Sequence, residues 1–288
     1  MRVCVSGAAG HLARALLPML LADDRVERVI ALDRAPLPLA HPKLEALQAD
    51  IADPRALRAA RDADALVHLA FVVLRGRTPL PEMRRVNVEA SLALVEAARG
   101  RVVHVSSASV YGRGESLAED APLAPLAGFR YAEHKAALDA LVATARPDAA
   151  ILRPHIILGP HALPLLKRLA RLPVYPRLPD PQPRVQAVHE ADVAAGIAAA
   201  LHADARGAFN LAHPRTFAWK ELVLTHRAHA VPVALPVLRG ALHAAWRASG
   251  WGGEPGWLAG ARDPLTVDCT RAAHVLGWKA TLDPLAAA

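Results

Sequence analysis

Short apolar runs alternate with longer segments of helical period through the first half of the chain, and this alternation restricts the chain to few folds. Parallel strands require crossover connections, which are usually helices, so the pattern is typical of βαβ units. We therefore predict an α/β protein with a doubly wound parallel sheet of the Rossmann type. The expected strands are Val3–Ser6, Val29–Asp33, Ala46–Ala49, Ala65–His68, Val102–Ser106 and Ala149–Arg153. The expected helices are His11–Ala22, Pro54–Ala60, Glu82–Ala98 and Tyr131–Thr144.

The alternation becomes less regular after Gly159. We expect residues 1–158 to form a dinucleotide-binding domain. Residues 159–288 are expected to form mainly a smaller substrate-binding lobe, interleaved with the last strands of the sheet. The stretch Leu172–Arg184 contains five prolines, so no regular element is expected there.

Composition and charge exclude several classes of function. The chain has 288 residues, 53% of them hydrophobic, which suits a globular core. Its net charge of +7 is spread along the sequence, so we do not expect nucleic-acid binding. Apolar runs are too short for a membrane span or a signal peptide, which favours a cytoplasmic protein. Two cysteines and dispersed histidines predict no metal site.

A glycine-rich turn follows the first expected strand and leads into the first expected helix. In this sequence, GAAGHLA, Gly7 permits the tight turn and Gly10 lets the backbone approach a pyrophosphate, while the helix that begins near His11 and Leu12 directs its N–H groups at the anion. Asp33 ends the second strand, where a carboxylate can bind the adenosine ribose and disfavour a 2′-phosphate. The expected cofactor is NAD, with NADP less favoured; the neighbouring Arg34 leaves NADP open.

Hydroxyl groups and a lysine occur on both sides of one loop after the fifth expected strand. Tyr131 and Lys135 are four residues apart on one helix and share a face, so the ammonium is expected to lower the pKa of the phenol. Ser107, at the carboxyl end of the strand, can bind the same substrate oxygen, and Lys135 can also reach the cofactor ribose. These three residues are the candidate catalytic residues. Taken alone, the Tyr-x-x-x-Lys spacing is also that of an ordinary helix surface.

In these motifs the chain resembles the extended short-chain dehydrogenase/reductase family, in particular its NAD-dependent epimerase/dehydratase branch. The ordered matches are GAAGHLA, LDR, ADI, VHLAF, NVEASLALVEAA, VVHVSSASVYG, YAEHK, LRPHIILGP, VHEADVA and LGWKATLDP. The resemblance implies that further residues contact the cofactor, namely Asp50, Ile51, Leu69, Ala70, Phe71 and Asn87. It also implies a homodimer formed through helices Glu82–Ala98 and Tyr131–Thr144. His189 and Asp192 are expected to fix a loop and cap the next helix.

Departures from the family pattern leave the substrate open. Ala108 and Ser109 stand where dehydratases carry an acidic pair, so dehydration is not expected. Ile156 and Val185 replace an asparagine and an arginine that are usual with nucleotide sugars. The leading hypothesis is an epimerase-type hydride transfer at a secondary alcohol carbon of a sugar or nucleotide sugar. The alternatives are a dehydrogenase or reductase of a smaller hydroxy or keto substrate, and a non-catalytic dinucleotide-sensing protein.

Overall fold

A seven-stranded parallel sheet forms the centre of the protein, as a computed structural model of the chain shows. The structure describes residues 1–73, 76–162, 171–250 and 255–287. The order of the strands across the sheet is β11-β7-β5-β4-β1-β2-β3. This order, which reverses next to β1, is that of a doubly wound fold and confirms the predicted class. The strands are β1 (Arg2–Ser6), β2 (Arg28–Asp33), β3 (Leu44–Gln48), β4 (Ala65–His68), β5 (Arg101–Val105), β7 (Ala150–Pro154) and β11 (Gly207–Leu211).

Helices cover both faces of this sheet, which explains why its central strands are mostly apolar. Val3 and Val5 pack on one face, against the helices α1 (His11–Ala22) and α6 (Glu190–His202). Cys4 lies on the other face. The helices on that face are α2 (Pro54–Asp62), α4 (Ser91–Ala97) and α5 (Arg130–Ala145). A strand buried on both faces needs no polar alternation, so it reads as a continuous apolar run.

Smaller sheets form the remainder of the described chain. In a mixed sheet, β10 (Val185–His189) pairs with three strands, and β6 (Gly114–Leu117) extends it. The three partners of β10 are β8 (Ile156–Leu158), β12 (Thr216–Phe217) and β14 (Leu265–Val267). Helices α7 (Trp219–His226), α8 (Leu235–Ser249) and α9 (Thr270–Leu276) belong to this part of the chain. The domain boundary proposed between residues 158 and 159 stays a prediction. Strand β11 lies beyond that boundary in the sequence and joins the main sheet.

The prediction of no regular element in Leu172–Arg184 was wrong. Strand β9 (Val174–Arg177) lies there and pairs in parallel with β13 (Val231–Ala234). Pro176 and Pro232 are part of this pairing. The ribbon has only two strands, and both are edges, where a proline need not donate a hydrogen bond to a neighbour.

The expected helix Glu82–Ala98 is divided into three consecutive pieces. Helix α3 (Leu80–Arg84) leads into a π-helical turn (Arg85–Ala90), and α4 follows. The other helices begin and end within two residues of their predicted bounds. Among the residues that the structure describes, no helix has both the length and the apolar character that spanning a membrane would require.

Candidate active site

A cavity of about 980 Å³ opens at the carboxyl ends of the parallel strands. Its size is at the upper end of the range for ligand pockets. All but one of the predicted site residues lie in its wall: Gly7, Gly10, His11, Leu12, Asp33, Asp50, Ile51, Leu69, Ala70, Phe71, Ser107, Tyr131 and Lys135. The structure therefore brings together residues from five strand ends that are far apart in sequence.

The glycine loop lies so close to neighbouring backbone that side chains cannot fit. Gly7 has φ +75°, and a Cβ there would lie 2.6 Å from the amide nitrogen of Ala70. A Cβ at Gly10 would lie 2.9 Å from the carbonyl oxygen of Gly7. Because α1 begins at the next residue, His11, the N–H groups of its first turn lie beside this bare loop.

Asp33 holds the glycine loop in place. Its Oδ2 accepts a hydrogen bond from the amide of Ala9 at 3.0 Å, and its Oδ1 accepts one from the amide of Ala35 at 2.9 Å. The carboxylate still borders the cavity, with lone pairs left for a ligand hydroxyl. Sequence reasoning predicted a ribose contact for Asp33, which stays a prediction, and did not predict this positioning role.

Asn87 is the predicted site residue that does not line the cavity, and it acts on the cavity wall through a neighbouring residue. Its side chain is fully buried. Its amide accepts from the N–H of Val72 at 2.7 Å and donates to the carbonyl of Val72 at 3.1 Å. Asn87 thus fixes the segment that follows β4, next to Phe71, which lines the cavity.

Ser107 and Tyr131 form the polar centre of the cavity. The Ser107 hydroxyl lies close enough to the phenol of Tyr131 to oppose the rise in the pKa of Tyr131 that burial causes. Ser107 Oγ also accepts from the amide of Ser109 at 3.2 Å and from its hydroxyl at 3.0 Å. Since these bonds occupy acceptor positions, the Ser107 proton is available for donation to the phenol or to a substrate oxygen.

Lys135 does not act on the phenol as the sequence suggested. Its buried Nζ donates to the carbonyl of Val105 at 2.7 Å and lies 3.8 Å from the ring centre of Phe71. Burial lowers the pKa of Lys135 to about 7, opposed by the charge of Asp139. Burial raises the pKa of Tyr131, and the Ser107 hydroxyl only opposes this change. The expected lowering of the phenol pKa was therefore wrong for this state of the protein, because loss of solvation is the largest effect.

Aromatic rings surround the Tyr131 ring on three sides. The ring centres of Phe71, Phe129 and Trp257 lie 5.5, 5.7 and 5.3 Å from that of Tyr131. Sequence reasoning identified Phe71 and missed the other two. Phe129 precedes α5, and Trp257 lies in a 3-10 turn (Pro255–Arg262), so only the folded chain brings them to the phenol.

A buried ion pair supports α5 from behind the cavity. Arg153 on β7 donates to both carboxylate oxygens of Asp139 on α5, at 2.9 and 2.8 Å. It also donates to the hydroxyl of Tyr111 at 2.7 Å, and that hydroxyl donates to Asn210. The sequence motifs contain Arg153 and Tyr111, but nothing in their spacing indicates this network.

The two residues expected to shape the loop before α6 have different partners. His189 accepts from the amide of Ala191 at 3.1 Å and so caps the helix as predicted. Asp192 does not cap it. Its carboxylate accepts from the amide and hydroxyl of Thr281 and from the amide of Leu282, which ties the C-terminal segment to α6.

These features fit a dinucleotide. Gly7 and Gly10 leave space that any Cβ would fill, and the start of α1 supplies N–H donors for a pyrophosphate. Asp33 can accept from a ribose hydroxyl, and Ile51 and Leu69 offer apolar surface in the same wall. Within the described ranges, no group of three or more His, Cys, Asp and Glu side chains could hold a metal ion.

Comparisons with known proteins give relatives for most of the chain. The model of the "NAD dependent epimerase/dehydratase family" matches residues 3–212. A ceramide reductase of Caulobacter vibrioides is 33% identical over 235 residues, which are 77% of this chain and 68% of that protein. A 3 beta-hydroxysteroid dehydrogenase/Delta 5-->4-isomerase of Mycobacterium tuberculosis is 38% identical over 129 residues, 41% of this chain and 34% of that protein.

Solved structures resemble the whole chain. MoeE5, in a complex with UDP-glucose and NAD, is 25% identical, with a TM-score of 0.76 over 100% of this chain and 97% of that chain. DesIV, a dTDP-glucose 4,6-dehydratase of Streptomyces venezuelae with NAD bound, is also 25% identical and has a TM-score of 0.76. That match covers 100% of this chain and 94% of DesIV.

Proposed function

Since the chain belongs to the NAD-dependent epimerase/dehydratase family, we propose that it is an NAD-dependent dehydrogenase or reductase acting at a secondary alcohol or keto carbon. The observation that carries this proposal is that Ser107 and Tyr131 line the same cavity as the glycine loop and Asp33. A proton-transfer group and a dinucleotide site in one cavity are what this reaction requires.

The residues of the glycine loop, Asp33 and the wall around Ile51 would hold NAD. When bound, NAD supplies the hydride acceptor for an alcohol, and NADH the hydride donor for a ketone. Tyr131 carries the proton. Because burial raises the pKa of its phenol, the side chain is protonated near neutral pH and ready to donate to the oxygen of a keto substrate. Ser107 positions that oxygen through its available proton.

Net oxidation or reduction is favoured over epimerisation by the sequence relatives. The names of the two relatives above include a reductase and a dehydrogenase, and a third, from Cupriavidus necator, is a D-erythronate dehydrogenase, 35% identical over 130 residues. A sugar or nucleotide-sugar epimerase is the second candidate, and the complex of MoeE5 with UDP-glucose favours it. A protein that only senses a dinucleotide has no need of the contact between Ser107 and Tyr131.

The experiment compares wild type with Tyr131→Phe. We expect the variant to lose about 10²-fold or more in kcat, because the phenol oxygen carries the proton, while NAD affinity measured by calorimetry stays nearly unchanged. Substrates are a panel of secondary alcohols with NAD and of ketones with NADH. A variant that keeps activity within about threefold of wild type would contradict the role of Tyr131.

A second measurement separates the two enzyme candidates. The purified protein is denatured, and the released dinucleotide is counted per chain before sugars and nucleotide sugars are assayed with added NAD. A dehydrogenase or reductase exchanges its cofactor, so we expect little retained dinucleotide and net NADH formation from an oxidised substrate. Nearly one NAD per chain, with sugar turnover but no net NADH, would favour the epimerase.

A further inference from the structure

The part of the cavity wall beyond Tyr131 is built from apolar side chains of several separate elements. Val174 comes from β9, Trp219 and Leu222 from α7, Leu238 and Leu242 from α8, and Trp257 from the 3-10 turn. Phe129 and Trp257 extend this surface to the ring of Tyr131. A ligand whose polar end is at the phenol would therefore bring the rest of its surface against apolar groups.

Two titratable side chains in this half of the cavity, those of His155 and Glu190, are already engaged by the protein. His155 Nε2 donates to the carbonyl of Leu265 at 2.9 Å, and its Nδ1 accepts from the amide of Ile156 at 2.8 Å. Burial lowers the pKa of His155 to about 4, so the ring is neutral. The carboxylate of Glu190 accepts from the amide of His161 and lies 2.7 Å from His161 Nδ1. These bonds leave few polar partners for a ligand.

Positive charge in the described wall is confined to the cofactor side. The arginines and lysines among the described lining residues are Arg34 and Lys135. Arg34 follows β2 and lies 3.9 Å from Asp50, whereas Lys135 is bound to Val105. In the half of the cavity beyond Tyr131, a diphosphate would lose its water near Glu190 without gaining an arginine or lysine from the described lining residues. An unpaired charge in an apolar site is strongly disfavoured.

From this lining we infer that the substrate is an uncharged lipid-class molecule whose reacting alcohol or keto carbon is carried on an extended apolar body, rather than a nucleotide sugar. The inference rests on the proposed function, because it concerns the same cavity and the same proton donor. Tyr131 and Ser107 bind the reacting oxygen, and the apolar body lies among Trp219, Leu238 and Trp257. Chain length, rather than charge, then determines how well a substrate is used.

The test uses a homologous series of simple ketones: 3-hexanone, 3-octanone, 3-decanone and 3-dodecanone. With NADH, kcat/KM is expected to rise about twofold to fourfold for each added methylene, as burial of a CH₂ group predicts. UDP-glucose with NAD is expected to give no NADH. Binding to the NAD-loaded protein is followed in parallel by tryptophan fluorescence, since Trp219 and Trp257 line the cavity. Affinity independent of chain length, or tighter binding of UDP-glucose than of 3-dodecanone, would overturn the inference.

A matched pair of variants locates the apolar body. Leu238→Asp puts a carboxylate into the apolar wall, and Val237→Asp puts the same group on the outside of the same helix, where Val237 is 60% exposed. We expect Leu238→Asp to reduce the preference for 3-dodecanone over 3-hexanone by about tenfold, because the carboxylate disfavours an apolar neighbour. Val237→Asp should keep the wild-type preference. An unchanged preference in Leu238→Asp would contradict the placement.

Failure of the inference and failure of the proposed function give different results. If UDP-glucose is turned over and Tyr131→Phe abolishes that turnover, the substrate class is wrong and the proton-transfer role stands. If NAD does not bind, or Tyr131→Phe is fully active on the ketones, the proposed function itself fails.

Discussion

Lys135 shows what spacing in a sequence can and cannot predict about one residue. The four-residue interval correctly predicted that Lys135 and Tyr131 lie on one helix and reach one cavity. It could not predict the pKa of either group, because the two pKa values depend first on burial and then on neighbours, Asp139 for Lys135 and Ser107 for Tyr131. The Lys135 ammonium is bound to groups other than the phenol, and both side chains are buried. Desolvation therefore has the largest effect on their pKa values.

The lowered pKa of Lys135 predicts a pH-dependent stability. The folded pKa of about 7 is below the value of 10.5 for a solvated lysine, so between these values the unfolded chain binds more protons. Lys135 therefore opposes folding fully below pH 7, and the cost declines as pH rises toward 10.5. We expect Lys135→Met to be more stable than wild type at pH 7, with the difference falling by about 1 kcal/mol per pH unit above that.

Urea unfolding at several pH values measures this difference. Because wild type and variant share every other titrating group, subtracting their free energies of unfolding isolates residue 135. A variant that is less stable than wild type by the same amount at every pH would show that the hydrogen bond to Val105 outweighs the desolvation of the ammonium.

Cofactor choice is the second prediction at the residue scale. Asp33 lies where a negative charge disfavours a 2′-phosphate, so wild type should bind NAD more tightly than NADP. Asp33→Asn keeps an oxygen for the amide of Ala9, loses the bond from the amide of Ala35 and removes the charge. We expect it to reduce the ratio of NAD affinity to NADP affinity by about tenfold. Calorimetric titration measures both affinities. Asp204→Asn, at an exposed position, is the charge-matched control, and a wild-type preference for NADP would assign the choice to Arg34.

At the scale of elements, the strands of the main sheet could be predicted because both of their faces are covered. Val3, Cys4 and Val5 form an apolar run because helices pack on each side. Strand β9 escaped prediction because the five prolines of Leu172–Arg184 were taken as breakers, although a two-stranded ribbon has free edges that accept a proline such as Pro176. Local patterns predict elements whose burial is uniform and fail where pairing depends on a distant strand.

The ion pair of Arg153 and Asp139 gives a prediction about how β7 and α5 are held together. Both side chains are buried, so removing one partner leaves an unpaired charge. We expect Arg153→Met to lower the free energy of unfolding by about 3–5 kcal/mol, and the double variant Arg153→Met/Asp139→Leu to recover much of this loss. Denaturant unfolding measures all three proteins. Arg206→Met, which breaks the exposed pair with Asp204, should cost less than about 1 kcal/mol.

The double variant also tests the hydrogen-bond network around Arg153, through whether its free energy of unfolding recovers. Arg153 also donates to Tyr111, whose hydroxyl donates to Asn210. A loss in the double variant as large as in the single one would mean that these neutral hydrogen bonds, rather than the charge of Asp139, account for the stability.

At the scale of the whole molecule, the sequence predicted the sheet and its ligand-binding edge but not the wall opposite. Gly7, Asp33 and Tyr131 lie at the ends of elements that the sequence predicts. A parallel fold places these ends at one edge of the sheet. Leu238 on α8 and Trp257 in the 3-10 turn reach the same cavity from a part of the chain where the alternation of strands and helices is lost. This wall determines which substrate fits, which is why the cofactor could be predicted before the substrate class.

The last prediction concerns assembly. The expected homodimer would pair the surfaces of α5 and of the helical segment 80–97, and Leu141 on α5 is 39% exposed. We expect wild type to sediment with about twice the mass of one 30.6 kDa chain. Leu141→Arg should yield monomers, because the two introduced charges and their hydration cannot be accommodated where two copies of each helix meet in an apolar contact.

The control for Leu141→Arg is the same substitution at a leucine of similar exposure outside these helices. Leu282 is 43% exposed and lies near the C-terminus, away from both helices, so Leu282→Arg should remain dimeric. Sedimentation velocity across a range of protein concentrations compares the three proteins, and circular dichroism verifies that each is folded. A wild type that is monomeric throughout would contradict the dimer. A folded Leu141→Arg variant that still dimerises would instead move the interface to another surface, since a buried arginine without a partner is incompatible with a close helix contact.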